Sequence, residues 1–112
     1  MQTISWQDFE KIDIRVGTII KAENFPEARN PAYKLTINFG AEIGLKKSSA
    51  QITKHYSADD LHGIQVIAVV NFPPKQIATF ISECLVLGIY DENKSVILLQ
   101  PKTPVCNGLK IG

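Results

Sequence analysis

Residues 33–39 read Tyr33-Lys34-Leu35-Thr36-Ile37-Asn38-Phe39. Large apolar side chains alternate with polar ones. A period of two sends Tyr33, Leu35, Ile37 and Phe39 to one face of a β-strand and Lys34, Thr36 and Asn38 to the other. Toward the N-terminus, Ile12, Ile14, Val16 and Ile20 alternate with Asp13, Arg15, Gly17 and Lys21, with Ile19 outside the pattern. This is a second half-buried strand, and Gly17 inside it predicts a bulge or sharp bend. Asn24 to Pro31 holds two prolines and reads as a loop. Ser5-Trp6-Gln7-Asp8 opens a short helix, with Ser5 as N-cap and Asp8 at N3, leaving Trp6 and Phe9 on one side.

Toward the C-terminus, Gly40 and Gly44 bracket a turn and a third strand runs through Ile43 to Ser49. Ile52 to Gly63 is polar and helical or turn-like, with Ser57 and Asp60 spaced as a second capping box. Ile64 to Asn71, apolar on both faces, predicts a buried strand. Phe72-Pro73-Pro74-Lys75 is a rigid loop because neither proline donates to a ladder. Cys84 to Tyr90 is a strand, Asp91 to Lys94 a turn, and Ser95 to Gln100 its hairpin partner. Asn107-Gly108 turns the chain before Leu109 and Ile111. Five or six short strands with little helix in 112 residues predict an all-β, small closed barrel. It is one domain over 1–112, with a helical extension over 1–11, the barrel over 12–100 and a C-terminal extension over 101–112.

The composition, 45% hydrophobic and 21% charged, is that of a globular domain. No apolar run approaches the roughly 20 residues that span a bilayer, so membrane insertion is not expected. The N-terminal residues carry neither a basic segment nor an apolar one of signal-peptide type, which predicts a cytoplasmic protein. Cys84 and Cys106 lack metal-ligand spacing and are expected to be reduced thiols; His55 and His62 read as surface or turn residues. No metal or cofactor is expected.

Charge is the informative compositional feature. Ala28 to Tyr56 carries Arg29, Lys34, Lys46, Lys47 and Lys54 against one acid, Glu42, on a chain whose formal net charge is only +1. Such segregation points to one positive face and to a polyanionic partner, against the plainer reading of an ordinary solvated face. Catalysis is not expected: there is no Gly-x-Ser-x-Gly elbow, glycine-rich phosphate loop or His-Glu-x-x-His, and neither His adjoins Ser82-Glu83-Cys84 in sequence.

Six segments together carry a resemblance. They are Asp13-Ile14-Arg15-Val16-Gly17, Tyr33-Lys34-Leu35, Lys46-Lys47-Ser48-Ser49-Ala50-Gln51-Ile52, Val70 to Lys75, Ser82-Glu83 and Pro104 to Gly108. In this order they resemble the tRNA-binding domain of the oligonucleotide-binding (OB) fold, found also at the end of bacterial methionyl-tRNA synthetases and on some phenylalanyl-tRNA synthetase subunits. Phe25-Pro26-Glu27-Ala28-Arg29, the run from Ser48 to Lys54 and Asn71-Phe72-Pro73-Pro74 are most similar to its free-standing CsaA-type branch, described as export-related chaperones that form homodimers.

The resemblance implies a five-stranded OB barrel whose second and third strands form an RNA groove. Lys34, Lys46, Lys47, Lys54 and Lys75 are then candidate phosphate contacts. Gln51, Asn71, Ser82 and Glu83 are candidate polar contacts to bases, with Asn71 alternatively a turn cap and Ser48 and Ser49 backbone braces. Synthetase-appended members read serine, a polar residue, glycine, methionine where this chain has Ser82-Glu83-Cys84-Leu85. The implied partner is tRNA; the rival is unfolded precursor protein or the export machinery, with a third reading as an assembly module for a synthetase. A homodimer is expected through Trp6, Phe9, Val105, Leu109 and Ile111, which would otherwise expose apolar area.

Overall fold

The alternation over 33–39 is realised: Tyr33, Leu35, Ile37 and Phe39 are buried, the last three with no exposed surface. In this computed structural model, which describes residues 1–112, they lie on β2 (Tyr33–Asn38) and just beyond it. β2 sits between β1 (Ile14–Asn24) and β3 (Leu45–Ala50). β1 also pairs with β4 (Gln65–Val69), and β4 with β7 (Leu85–Val86). The resulting five-stranded sheet runs β3-β2-β1-β4-β7, entirely antiparallel, and curls until its end strands β3 and β7 touch. Two hairpins complete the barrel, β5 (Lys75–Ile77) with β6 (Phe80–Ser82), and β8 (Gly88–Tyr90) with β9 (Val96–Leu98). This is the OB-type architecture expected from the sequence.

Three single-turn helices punctuate the strands. In α1 (Trp6–Glu10) both halves of the Ser5–Asp8 capping box form. In α3 (Ala58–Leu61) only one half does, the Asp60 N–H donating to Ser57 Oγ. The turn expected between Gly40 and Gly44 winds into α2 (Gly40–Ile43), which delays β3 to Leu45.

The interior holds Ile19, Leu35, Ile37, Phe39, Ile52, Leu61, Val66, Ala68 and Leu98 among its members. Each fully buried Leu or Ile contributes roughly 1.5–3 kcal/mol. Ser48, the one buried polar residue, donates its hydroxyl to the Cys84 carbonyl, and no buried side-chain nitrogen or oxygen lacks a partner.

β1 departs from its expected pattern. The register slips between Ile19 and Lys21, so the bulge lies at Ile20 and not at Gly17. Ile19, in phase with Gly17, faces the core and Ile20 is 39% exposed, the reverse of the alternation read from the sequence; past the slip, Ala22 takes the inward position opposite Leu35. Gly17 has a different purpose: a Cβ there would lie 2.6 Å from Ile37 and 2.7 Å from the Phe39 ring. The absent side chain lets β1 and the strand beside it close over the core.

Two further strands differ from expectation. The chain from Cys84 to Tyr90 is split into β7 and β8 at Leu87, where it changes partner: the Leu87 N–H still donates to Ile67 of β4, while its carbonyl accepts from Leu99 beyond β9. The β5–β6 hairpin, with its tight turn at Ala78-Thr79, had no marker of the Asn-Gly kind.

Beyond residue 100 the chain returns to β1. Val16 donates to the Leu109 carbonyl, and the Gly108 and Ile111 N–H groups donate to Val16 and Ile14. Arg15 locks this return with a 2.6 Å bond to Asp13 and a 2.9 Å bond to the Gly108 carbonyl. That Arg15 contact holds the Asp13 carboxyl below its ordinary range. No helix is long and apolar enough to cross a membrane.

Candidate nucleic-acid interface

Register decides which polar side chains share a face. Thr36 is opposite Lys21 on one side and Lys47 on the other; Lys34 is opposite Glu23 and Ser49. Opposed residues on antiparallel strands point the same way, so Lys21, Lys34, Thr36, Lys47 and Ser49 form one outer face over β1, β2 and β3. Glu23 is the acid among these positions, and its 3.6 Å contact with Lys21 is exposed, hence weak. Lys34 also sits 5.4 Å from the centre of the Phe25 ring, which meets Phe80 edge-on. The aromatic contact orients that ammonium without neutralising it.

The same register separates Lys46 from Lys47. Lys46 is opposite Ile37, on the core side of the sheet, while Lys47 is opposite Thr36 on the outer face. The two adjacent lysines therefore serve different sides of the barrel. Lys54 lies on the exposed turn after β3.

The outer edge of β3 is not free. Glu83 donates its N–H to the Lys47 carbonyl, and its carboxylate accepts the Lys47 N–H at 3.0 Å. Ser82 Oγ accepts from the Ser49 N–H at 3.2 Å. Both side chains are thus engaged in closing the barrel edge. Behind them Cys84 is buried, and that burial pushes its thiol up to about 12, which favours the protonated form.

Beside this closure lies a cleft of about 490 Å3. Gln51, Lys75 and Ser82 stand on its rim, and Phe72, Ile77 and Leu85 supply apolar walls. Phe72 is 53% exposed although two prolines follow it. Sequence alone gives Phe72 as a loop residue and leaves Lys21 outside the basic segment, so neither stands out without the fold.

Asn71 belongs to another part of the molecule. Its Oδ1 accepts from the Asp13 N–H at 2.9 Å and its Nδ2 donates to the Lys11 carbonyl at 2.7 Å. It ties the residues after α1 to the end of β4. No three His, Cys, Asp or Glu side chains are grouped to hold a metal ion.

The opposite outer face is aliphatic. Ile14, Val69 and Leu85 are aligned across β1, β4 and β7, with Val16 opposite Ile67 beside them. On the separate β8–β9 hairpin, which follows β7 in the chain, Ile89 opposes Ile97, both exposed, at 56% and 44%. Because Arg15 bridges Lys110, Leu109 and Ile111 alternate onto the same side as Val16 and Ile14. None of these side chains packs against the core cluster. In β4, Val66 and Ala68 join the core cluster, while Val69 and its neighbour Val16 are buried outside that cluster, at 4% and 3% exposure.

A curled antiparallel barrel with a lysine-bearing outer sheet face defines a binding module of the OB class. The family model described as a putative tRNA binding domain matches residues 14–110, and the chain belongs to that family. Its structural neighbours place it with the CsaA-type members. The crystal structure of the chaperone CsaA from Bacillus anthracis is 53% identical with a TM-score of 0.93, covering 99% of this chain and 100% of that one. The CsaA chaperone protein from Picrophilus torridus is 55% identical with a TM-score of 0.91, covering 98% and 100%. Among curated relatives, methionine–tRNA ligase from Porphyromonas gingivalis is 32% identical over 110 residues. That match takes in 98% of this chain and only 16% of the ligase.

Proposed function

We propose that this chain is a non-catalytic RNA-binding module for tRNA, working as a homodimer. The observation that carries the reading is the register that aligns Lys21, Lys34 and Lys47 on one outer face, in a domain of the tRNA-binding family. Lysine ammonium groups on a sheet face attract phosphates without reading sequence, so recognition rests on RNA shape. Of the candidates from the sequence, Lys34 and Lys47 contact the backbone on this face, and Gln51 and Lys75 act at the neighbouring cleft. Ser82, Glu83 and Asn71 hold the scaffold. Dimerisation uses the aliphatic face, which includes the expected Leu109 and Ile111 and adds Ile14, Ile89 and Ile97. Exposed aliphatic side chains without a charge among them suit an interface, and two basic faces on one dimer raise avidity for a single folded RNA.

Titration of mixed tRNA at increasing salt tests the reading. Affinity should fall linearly on logarithmic axes, and nucleic acid copurifying with the protein should be lost after a salt wash. Capture of unfolded precursor protein, supported by the cleft's apolar walls and the neighbours' description as chaperones, would instead hold or strengthen as salt rises.

A further inference from the structure

The cleft beside Phe72 is one half of a longer groove. A second cavity of about 280 Å3 adjoins it, sharing Ser49, Gln51 and Leu85 as the wall between them. The two halves have matching ends. Phe72 and Lys75 line the first; Tyr90 and Lys94 line the second. Both aromatic side chains are accessible, Tyr90 at 76%. No Asp or Glu lines either half. The nearest acids in sequence are engaged elsewhere, Glu83 with the Lys47 backbone and Asp91 with His55 and the backbone of its own turn.

We propose that this groove is a two-base slot for unpaired RNA, in which Phe72 and Tyr90 each stack one base. Gln51, between them, meets a base edge with its donor and acceptor, while Lys75 and Lys94 face the backbone at either end. The inference rests on the RNA reading above and extends it from the lysine face to a site for single strands. Two observations favour RNA over an extended peptide. The lining is cationic with no balancing acid. The neighbouring β3 edge, where a peptide strand would add, is already closed by Ser82 and Glu83.

Fluorescence anisotropy with a labelled uridine decamer and an equally labelled blunt RNA duplex separates the two claims. Phe72→Ala and Tyr90→Ala should each weaken the decamer about fivefold to thirtyfold, leave duplex binding and the salt slope unchanged, and preserve the thermal melt because both side chains are exposed. Tyr90→Phe should retain most of the affinity. If the decamer binds equally well to both alanine variants while a Lys34→Ala, Lys47→Ala variant loses it, RNA binding stands and the slot is overturned. If the intact protein binds neither RNA, the RNA reading itself fails and the slot with it. Loss of binding to an apolar unfolded peptide in the alanine variants, with the decamer unaffected, would reassign the groove to protein clients and overturn the proposal.

Discussion

The two outer faces of this barrel share strand β1 and differ in almost everything else. Past the bulge, β1 contributes Lys21 and Glu23 to a polar face with β2 and β3. Before it, Ile14 and Val16 join β4, β7 and the returning C-terminal segment in an aliphatic face. One strand can do this because a closed barrel turns its outside through all directions, so the two ends of a long strand look at different surroundings. The polar face is solvated and can carry charge at little cost. The aliphatic face has no charged member and leaves Ile89 and Ile97 in contact with water, an unfavourable exposure of apolar area. One region presents ammonium groups to solvent, the other exposed aliphatic side chains.

The sharpest way to break this division is to charge the aliphatic face. Ile89→Glu with Ile97→Glu should dissociate the proposed dimer, since unpaired buried charges cost about 3–5 kcal/mol. Equilibrium sedimentation should then show monomer, circular dichroism an intact fold, and each monomer should keep its affinity for a short RNA. An intact protein that sediments as monomer at micromolar concentration would remove the interface.

Asn71 tests whether the N-terminal segment belongs to the scaffold or to the RNA face. Asn71→Ala deletes two side-chain hydrogen bonds and should lower unfolding free energy by about 1–3 kcal/mol. Urea titration measures this, and faster exchange of the Asp13 amide would localise it. RNA affinity per folded molecule should stay the same; a specific loss of affinity would return Asn71 to the binding face.

Lys46 and Lys47 sharpen the polar side. Lys47→Ala should make the salt dependence shallower by about 0.7–0.9 on logarithmic axes, the release expected for one phosphate contact. Lys46→Ala, on the core side of β3, should leave it unchanged. Equal effects from both would mean that flexible lysine stems escape the constraint of strand parity.

The smallest effect concerns acid. Backbone donation from Ser95, together with His55, holds Asp91 below its ordinary value of 3.8, and Arg15 does the same for Asp13. Depressed folded values mean that both contributions are complete at neutral pH. They fade as pH falls through 3.8 and on through the lower folded values. Melting temperature followed from pH 6 to pH 3 should decline less steeply in an Asp91→Asn variant.

The barrel was legible in the chain because its signals are local. Alternation over 33–39, the Ser5–Asp8 cap, the turn at Asp91–Lys94 and the basic segment from Arg29 to Lys54 each depend on neighbours in sequence. The resemblance to the tRNA-binding domain rested on such segments too. What remained hidden depends on pairing across the sheet. Whether Lys46 and Lys47 face the same way, whether Asn71 is free, and whether Ser82 and Glu83 touch a ligand or a strand edge are questions about partners 36 to 60 residues apart in several cases. Aliphatic side chains hid most completely, since Ile67 or Ile97 reads as core in any sequence. Only closure of the sheet shows that the core was already full and that these residues were left outside it. The single-residue slip at Ile20 shows in the sequence only as the adjacent pair Ile19-Ile20, yet side chains alternate with a period of two, so it decided which face of the barrel every later residue of β1 serves.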